Sequence, residues 1–567
     1  MGFGPSFSRW VALFYANIES AVVINGWTSP SFNLTRGVRQ GCPLSPLLYV
    51  LSVEVLAANI RVSPDISGVQ LPGTLEELRC EGYADDTTVV VTTDESINEV
   101  FTIYDQYERG SGAKLNKGKS KGMWLGEWRD RTDTPHGLSW VKQLPCLGAI
   151  FSASDCSREM WEPKVEKVEK RLSAWKGRSL SYRGKSLVIN ALALSQIWHL
   201  CSVFVMPAWV AKRLDKAIWA FFWSGKRDLV ARRNVQQPRS AGGFGVINFR
   251  LQADALALQW LRRFRADSCA KWKALFHHQY QRAFGGTLLY SLSHVSVMTR
   301  ARSQRLGSFH KNIVAAWKKF DGGLLNDTLT IGVSWYNPLE VDDMTTRSLY
   351  QRAQVVNFVP PHCVVKFLPT YGELYWSETW RQLHLMSFDR NVVDLNWKIA
   401  HGVLYTASRL VNSFGMRNID VRCHCGAREE TLEHLFFECP FAQLLINWVY
   451  FQLVSVLPNE RPFSVTDLLF GVIAARRKRI PQVFVWMLQT MKHSIWLARC
   501  DFRFRAVPPV EANCLKRTIA KVQFLLTVAA RKCRTKKQRD CFCKEFLANG
   551  TLGSFNGEKL VFSDKFK

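Results

Sequence analysis

Apolar residues in the middle of the chain recur at the spacing of an α-helix. In the stretch EPKVEKVEKRLSAWKGR they are separated by three or four positions, with charged residues between them: Val165, Val168, Leu172 and Trp175. This period predicts a helix with one packed face and one basic face. Similar patterns predict a mostly helical region over residues 156–285 and a buried helix over residues 444–457.

The first third of the chain predicts a loop, a helix and a strand. A stretch rich in Gly, Arg and Pro, residues 35–46, runs into apolar residues at helical spacing from Leu47 onward. In EGYADDTTVVV, the β-branched run predicts a strand over residues 87–92. Asp85 and Asp86 are then expected in a tight turn before that strand.

The composition of the chain indicates a partner. The 567 residues include 75 Lys and Arg against 47 Asp and Glu, a formal charge of +28. Such an excess favours a polyanion, first of all nucleic acid. The chain also has 21 Trp and 35 Phe, and although most single rings are expected in the core, aromatic rings beside cations can stack on bases.

Cysteine usage and hydropathy indicate the compartment. The 15 cysteines are odd in number and irregularly spread, which favours a reduced intracellular protein over a disulfide scaffold. No stretch reaches the roughly 18 uncharged apolar residues of a membrane span. We therefore expect no membrane partner.

The adjacent carboxylates Asp85 and Asp86 stand beside a run that should be buried. Desolvation and mutual repulsion favour protonation of a buried pair unless cations neutralise it. Either the pair is exposed in a polar turn, or it binds metal. A paired-aspartate turn offers hard oxygen ligands to Mg²⁺, which takes carboxylates together with substrate phosphates. Two such ions can activate an attacking hydroxyl and stabilise a leaving pyrophosphate.

The surrounding motifs carry a family resemblance. RQGCPLSP, residues 39–46, followed by YADD, residues 83–86, resembles the fingers–palm motifs of reverse transcriptases from non-LTR, LINE-type retrotransposons. Further stretches follow in the family's order: GAKLNKGKS, LPCLGAIF, WKGRSLSYRGK, FFWSGK, GGFGVIN and DLNWKIAHGVL. The resemblance implies an α+β chain: a partial polymerase palm, with an antiparallel sheet and helices, then a mainly helical thumb and a C-terminal helical region with a zinc knuckle.

The same resemblance implies RNA-directed DNA polymerase activity and a role for each site residue. Asp85 is the stronger ligand for Mg²⁺ (or Mn²⁺), and Asp86 supports it electrostatically. Tyr83 lies near the primer terminus. Lys119 matches a lysine that donates a proton to the departing pyrophosphate, although a solvated lysine explains this Lys-rich loop equally well. The remaining substrate-binding positions are Asn116, which orders its loop, and Arg39, Gln40 and Gly41, which contact template or incoming nucleotide.

One acidic ligand of the family's pattern has no counterpart here. The family places another metal-binding aspartate on a strand several dozen residues before the RQGCPLSP loop. No aspartate precedes Asp65 in this sequence, and the only earlier acids are Glu19 and Glu54. The resemblance therefore implies an N-terminally truncated polymerase, and we expect this chain alone to polymerise inefficiently.

A second chemical signal is the stretch CHCGAREETLEHLFFECP. Cys423 and Cys425 are separated by one residue, His434 follows after eight more, and Cys439 after another four. Three thiolates and an imidazole suit tetrahedral Zn²⁺. The stretch resembles the zinc-binding motif downstream of the family's polymerase, where two residues commonly separate the first pair. His424 can therefore replace Cys423 as a ligand, and scattered thiols in a helical core remain the alternative.

These observations predict five regions: a partial palm (residues 1–155), a thumb and connection (156–285), an uncharacterised linker (286–390), a zinc-knuckle module (391–470) and a basic helical region (471–567). The basic stretches RRKRI and RKCRTKKQR are expected to be solvated, to act in nuclear import or to bind nucleic-acid backbone.

The expected partners are an RNA template, a DNA primer or target and deoxynucleoside triphosphates, in a ribonucleoprotein of nucleus and cytoplasm. The alternatives to a polymerase are a non-catalytic nucleic-acid binder and a degenerate element product.

Overall fold

The computed structural model describes residues 2–34, 42–266, 269–284, 305–321, 345–383, 389–472 and 474–566. The chain divides into two compact units. Unit 1 consists of Met1–Leu144, Asp267–Ser293 and Thr299–Arg305, and unit 2 consists of Pro145–Ala266, His294–Met298 and Leu306–Lys567. Unit 2 contains most of the helices.

The strands of the described residues form two-stranded sheets only. The paired segments are Glu19–Ser20 with Phe32–Asn33, Val23–Ile24 with Trp27–Thr28, Val69–Gln70 with Glu77–Leu78, Cys80–Tyr83 with Asp86–Val89, Lys121–Gly122 with Ser139–Trp140, Gln143–Cys146 with Ala149–Ser152, and Gly553–Asn556 with Lys559–Phe562. The Lys121–Gly122 pairing is parallel. Over the described residues, the structure thus has separate two-stranded pairings where a palm was expected to have one antiparallel sheet.

Unit 1 is built on a small core between two helices and one hairpin. Its helices are Pro5–Tyr15, Ser45–Val62, Asp94–Ser111 and Trp272–Phe284, with short 3-10 turns at Gly126–Trp128 and Pro135–Gly137. The core residues come from the second and third of these helices, from the hairpin and from the segment between: Leu56, Ala57, Ile60, Ile66, Cys80, Val100 and Ile103. This packing holds the hairpin Cys80–Tyr83/Asp86–Val89 against both helices.

The helix Ser45–Val62 begins close to where the apolar pattern predicts a helix. It buries Leu56, Ala57 and Ile60 but leaves other apolar side chains open, among them Leu47 and Val62. By length and composition it is the one helix of the described residues that is apolar enough to cross a membrane, and 22% of it is buried inside the protein. Glu54 and Arg61 form an ion pair on this helix.

The helices of unit 2 follow in close succession. They are Ser157–Lys176, Tyr182–Leu187, Val188–Ala193, Leu194–Gln196, Trp198–Val203, Ala208–Phe222, Arg232–Gln236, Arg239–Ala241, Phe249–Arg265, Ser308–Asp321, Thr346–Val356, His362–Tyr371, Trp376–Leu383, Arg390–Ala400, Ala407–Phe414, His434–Glu438, Pro440–Val454, Val465–Phe470, Ala474–Arg477, Gln482–Arg505, Glu511–Ala530, Lys536–Phe546 and Asp564–Phe566. Four of them lie in the region 286–390, for which the sequence analysis predicts no fold.

The helix Ser157–Lys176 confirms the predicted packed face. Val165, Val168 and Leu172 are buried, and Trp175 is partly buried. The opposite face is not purely basic, because two glutamates of this helix, Glu162 and Glu169, pair with Arg213 of the helix Ala208–Phe222.

The predicted helix over residues 444–457 is also present. It spans Pro440–Val454 and buries Leu445, Ile446, Val449 and Leu453, whereas Leu444 and Phe451 are exposed. It is therefore a one-sided core helix.

The basic stretch RRKRI is partly a core element, which corrects its interpretation as a wholly solvated or nucleic-acid-binding block. Arg476 is 1% exposed. Its guanidinium donates to Glu460 at 2.9 Å and to Asp467 at 2.5 Å, and also contacts the carbonyl of Arg461. A buried cation is tolerated only when paired, so two carboxylates elsewhere in the chain decide the position of this arginine.

The helix Gln482–Arg505 carries a buried lysine. The side chain of Lys492 is in the core and its Nζ donates to the carbonyl of Leu468 at 2.5 Å. Over the described residues it forms no ion pair, and burial lowers the pKa of Lys492 to about 7. The folded pKa is below the unfolded value of about 10.4, so folding disfavours the charged form. The resulting loss of stability is complete below the folded pKa and disappears as pH rises through the unfolded pKa.

We expect Lys492→Met to raise the unfolding midpoint near pH 7. The gain is about 2 kcal/mol, because removal of the desolvation cost exceeds the lost hydrogen bond to Leu468. The gain shrinks toward about pH 10, where unfolded Lys492 also becomes neutral. Denaturant unfolding of the full chain at both pH values measures it. Lys478→Met, at an exposed lysine, is the control; an equal effect of both variants, or a pH-independent gain, contradicts the prediction.

Candidate functional site

The acidic doublet lies at the tip of a tight hairpin. Tyr83 pairs with Asp86 and Cys80 with Val89, so Ala84 and Asp85 form a two-residue loop. Ala84 adopts a positive φ of 55°, a conformation that costs an alanine roughly 1–3 kcal/mol. Asp85 is therefore a turn residue, and Asp86 is the first residue of the returning strand.

The returning strand is shorter than the predicted residues 87–92. It spans Asp86–Val89. The amide of Val90 still donates to the carbonyl of Arg79 at 2.8 Å, in the register of the hairpin, whereas the amide of Thr92 donates to the carbonyl of Ser67 at 3.0 Å. The hydrogen bonds of the backbone thus leave the hairpin only at Thr92.

The tip of the hairpin is open to solvent. Asp85 and Asp86 are exposed, and Tyr83 is 68% exposed. Burial and the nearby carboxylate of Asp85 raise the pKa of Tyr49, which places that carboxylate close to the helix Ser45–Val62. The sequence left open an exposed turn or a buried metal site, and the structure has the exposed turn. Because both carboxylates remain in contact with water, no metal is needed to offset a cost of burying them.

Two of the other predicted polymerase residues, Asn116 and Lys119, lie in one turn of unit 1. Arg39, Gln40 and Gly41 lie outside the described residues. The Oδ1 of Asn116 accepts from the amide of Lys119 at 3.1 Å, and its carbonyl accepts from Lys119 at 3.0 Å. Asn116 thus closes the turn that carries Lys119. The side chain of Lys119 is exposed, and in the described part of the chain it forms no ion pair with the aspartates.

The cysteine and histidine side chains of the second signal converge in unit 2. The donor atoms of Cys423, Cys425, His434 and Cys439 all lie within 4.8 Å of one another. Cys425 Sγ is 3.3 Å from His434 Nε2, and Cys423 Sγ is 3.9 Å from Cys439 Sγ. Four donors of a tetrahedral zinc ion are roughly 3.5–3.8 Å apart. The donor set and its spacing therefore fit a tetrahedral metal.

The backbone around the first two cysteines forms a knuckle. The amide of Gly426 donates to the carbonyl of Cys423 at 3.0 Å, and the amide of Cys423 donates to Ala427 at 3.0 Å. Gly426 has a φ of 92°, which favours glycine. The knuckle brings both thiols to one side with a single residue between them.

His434 and Cys439 lie at the two ends of a short helical turn. His434 lies in His434–Glu438, and its Nδ1 is 3.8 Å from the carboxylate of Glu438. The Nε2 of His434 faces the thiols, an arrangement in which a carboxylate orients a ligating imidazole. Cys439 precedes the helix Pro440–Val454, and hydrogen bonds from Cys423 and then from the helix amides lower the pKa of the Cys439 thiol. The same Cys423–Cys439 hydrogen bond, together with burial, raises the pKa of Cys423 to about 12.

His424 lies beside this group but is not one of its four donors. Its Nδ1 is 3.4 Å from Cys423 Sγ, and its Nε2 is 3.8 Å from Cys439 Sγ. The imidazole packs edge-on against Phe441 and Phe502. The geometry groups Cys423, rather than His424, with the other three donors.

A buried carboxylate anchors the knuckle to the core. Glu430 is fully buried and accepts from Arg499 at 2.7 Å and from Arg503 at 3.0 Å. Arg503 also donates to the carbonyl of Asp420 at 2.7 Å. Burial acts to raise the pKa of Glu430, but Arg499, the Ala407 amide and Arg503 together hold it below its usual value. This ion cluster fixes the position of the metal-ligand stretch on the helix Gln482–Arg505.

Four stretches that the sequence treats separately meet in one aromatic cluster of unit 2. Tyr182 is 5.3 Å from Phe222, 5.4 Å from Phe244 and 5.6 Å from Trp397 by ring centroids. These rings come from WKGRSLSYRGK, FFWSGK, GGFGVIN and DLNWKIAHGVL respectively. Sequence reasoning noted each stretch but not the contact, because only their order was visible.

Polar groups tie the same cluster together. The amide of Tyr182 donates to both carboxylate oxygens of Asp394, at 3.3 and 3.2 Å. The carbonyl of Gly242 accepts from Trp397 Nε1 at 2.8 Å and from His401 Nε2 at 2.9 Å. His401 thus keeps Nδ1 free to accept from the thiol of Cys363 at 3.6 Å. Burial raises the pKa of Cys363 to about 12 and lowers that of His401 to about 4, so this Cys–His pair is structural rather than nucleophilic.

The comparisons with known proteins agree with the hairpin motif. Residues 2–151 match the family model described as reverse transcriptase (RNA-dependent DNA polymerase). The chain is 32% identical over 287 residues, 49% of its length, to the transposon TX1 uncharacterized 149 kDa protein of Xenopus laevis. It is 23% identical over 279 residues, 46% of its length, to the retrovirus-related Pol polyprotein from type-2 retrotransposable element R2DM of Drosophila melanogaster.

A third relative is a putative ribonuclease H protein of Arabidopsis thaliana, 26% identical over 121 residues, 20% of this chain. The matches cover 22%, 20% and 25% of the three relatives, so the chain spans about a quarter of their length or less. The two longer alignments nevertheless exceed the 150 residues of the family match. Residues 2–151 are therefore a reverse transcriptase domain of the non-LTR retrotransposon type, within a chain that resembles transposon proteins beyond that domain.

Proposed function

We propose that the chain acts in RNA-directed DNA synthesis, with unit 1 contributing part of a nucleotidyl-transfer centre. The observation that carries this proposal is the exposed YADD turn within the matched domain. The reaction joins a primer 3′-hydroxyl to the α-phosphate of a deoxynucleoside triphosphate and releases pyrophosphate. RNA template and DNA primer or target are the proposed partners, consistent with the charge of +28.

The two aspartates are the proposed ligands of the catalytic ions. Exposed carboxylates at a fixed turn fit Mg²⁺ or Mn²⁺, which bind oxygen ligands together with substrate phosphates. When bound, these ions lower the pKa of the attacking hydroxyl and stabilise the leaving pyrophosphate. The strained loop at Ala84 and the packing of the hairpin on two helices fix the direction of Asp85 and Asp86 before substrate binds.

Other residues of unit 1 are proposed to position substrate. Tyr83, exposed beside the aspartates, lies against the primer terminus. Lys119 donates a proton to the departing pyrophosphate from the turn that Asn116 closes. The proposed contacts to template and nucleotide are Arg39, Gln40 and Gly41.

A second candidate function is nucleic-acid binding without synthesis. Residues 1–64 contain Glu19 and Glu54 but no aspartate, so the sequence supplies two of the three acidic ligands in the family's pattern. Weak retention of the catalytic ions follows if no other carboxylate joins Asp85 and Asp86. In that case the basic surface and the metal-binding knuckle hold RNA or DNA without extending it.

We also propose that Cys423, Cys425, His434 and Cys439 bind Zn²⁺. The donor distances and the Glu438 carboxylate behind His434 support this ion. Its role is structural, because all four coordination positions are filled by protein. It fixes a small module that carries basic residues toward nucleic acid.

We also propose that the chain is organised in the five regions predicted from its sequence, and that it acts in a ribonucleoprotein of the nucleus and cytoplasm. In the structure, the zinc-knuckle region and the C-terminal region share one core, because the helix Gln482–Arg505 packs on Arg390–Ala400 and on Pro440–Val454. The knuckle is therefore proposed to fold together with the C-terminal helices.

A primer-extension assay tests the polymerase. With Mg²⁺ or Mn²⁺ and an RNA template, we expect slow extension by the full chain. Asp85→Ala is expected to lower the rate at least about a hundredfold, because it removes a ligand that acts in the transition state. Asp105→Asn, at an exposed aspartate on a helix of unit 1, is expected to retain the rate. Extension that persists in Asp85→Ala contradicts the proposal, and absent extension with intact template binding supports the second candidate.

Metal analysis tests the zinc site. We expect one zinc per purified chain by plasma mass spectrometry, and its loss in Cys439→Ser together with a lower unfolding midpoint, because metal binding stabilises the folded module. His424→Ala is expected to keep the metal, whereas Cys423→Ser is expected to lose it. Cys541→Ser, at an exposed cysteine, is the matched control. Zinc retained by Cys423→Ser and lost by His424→Ala overturns the assignment of Cys423.

A further inference from the structure

Three lysines converge on the aromatic cluster of unit 2. Lys185 Nζ lies 5.7 Å and Lys398 Nζ lies 5.4 Å from the ring centroid of Tyr182. Lys185 also donates to the carbonyl of Phe222 at 2.9 Å and to Ser224 Oγ at 2.6 Å, which brings it to the turn that carries Lys226. These residues come from three stretches of the chain, joined only by the fold.

The lysines at this point outnumber the carboxylates that face them. Over the described residues, none of these lysines forms a salt bridge, and Asp394 is the carboxylate that acts on Lys185 and Lys398. The Tyr182 amide donates to Asp394, and burial raises the pKa of Asp394 to about 7. Burial, and then the neighbouring lysines, lower the pKa of Lys185. Like charges held this close favour an anion between them.

Exposed rings with cations on them continue the same surface. The guanidinium of Arg409 lies 5.9 Å from the Tyr405 ring and 5.7 Å from the Phe414 ring. Both rings are 38% exposed. The guanidinium of Arg227, the residue after Lys226, lies 6.0 Å from the Phe414 ring centroid, so the two groups of cations are neighbours. The surface therefore combines an excess of ammonium groups over carboxylates with partly exposed aromatic rings.

We propose that this surface, the Tyr182 patch (Lys185, Lys226, Lys398, Tyr405, Arg409 and Phe414), binds an unpaired segment of a nucleic-acid strand. The lysines take successive backbone phosphates, and bases stack on the exposed parts of the Tyr405 and Phe414 rings. The proposal rests on the proposed function only for the chemical class of the partner. The phosphates of a duplex could also contact the lysines. The bases of a duplex, however, are stacked on one another and cannot stack on the Tyr405 and Phe414 rings.

Equilibrium binding of the full chain tests the patch, using fluorescent oligouridylate, oligothymidylate and a duplex of equal length, without nucleotide or added divalent ion. We expect Lys226→Gln/Lys398→Gln to weaken single-strand binding about tenfold and to reduce the salt slope by about 1.4, the value for two phosphates on a single strand. Tyr405→Leu/Phe414→Leu is expected to weaken it about tenfold with an unchanged slope. Lys212→Gln/Lys544→Gln removes the same charge from exposed sites elsewhere in unit 2 and is expected to stay within about twofold.

Further measurements separate a loss of binding at this surface from a loss of folding and from a loss of polymerase function. Lys226→Gln alone changes an exposed residue and is expected to weaken binding about threefold without lowering the unfolding midpoint. Oligouridylate with 5-iodouracil is expected to crosslink, under ultraviolet light, to peptides 399–409 or 410–417. Equal loss in the charge control, no crosslink in those peptides, or equal dependence of duplex binding on the two rings overturns the proposal. Asp85→Ala is expected to bind normally, so a failed primer-extension result leaves this test intact.

Discussion

The hydrogen bonds that one buried helix makes with distant backbone hold unit 2 together. In the helix Arg390–Ala400, Asp394 accepts a hydrogen bond from the Tyr182 amide. Trp397 of this helix and His401, the residue after it, both donate to the Gly242 carbonyl. Gly242 has a φ of 85°, and a Cβ at this position would lie 2.7 Å from the Trp380 ring. Buried polar groups must be paired, so these bonds allow one arrangement of three sequence-distant segments. The aromatic cluster and the lysines around Tyr182 follow from that arrangement.

The polar groups of the acidic turn in unit 1 are exposed, in contrast to the buried, paired polar groups of unit 2. Its carboxylates avoid the cost of desolvation by exposure, while the inner end of the hairpin, at Cys80, is packed between two helices. Exposed carboxylates on a fixed backbone suit the proposed binding of ions that arrive with a phosphate-bearing substrate. The strain at Ala84 is maintained because the paired strands on either side over-determine the loop.

The Cys/His stretch of unit 2, unlike the acidic turn, is mostly buried. Cys423, His434 and Cys439 are buried and Cys425 is exposed, and Glu430, four residues before His434, is fully buried against Arg499 and Arg503. The buried ion pairs connect the knuckle to the long helix Gln482–Arg505. Because breaking such a pair leaves an uncompensated charge, the position of the knuckle depends on that helix as much as on a metal.

The sequence by itself determined the features that depend on near neighbours: the packed face of Ser157–Lys176, the tight turn at YADD, and a Cys/His spacing that suits zinc. Period and spacing act over a few residues and need no knowledge of the rest of the chain. Only the tertiary structure decided that Asp85 and Asp86 are exposed, that Arg476 is buried beside Glu460 and Asp467, and that Cys423, Cys425, His434 and Cys439 lie together. It also brought Lys185, Lys226 and Lys398 together. Burial and charge balance are set by residues far apart in the chain, so no local pattern contains them.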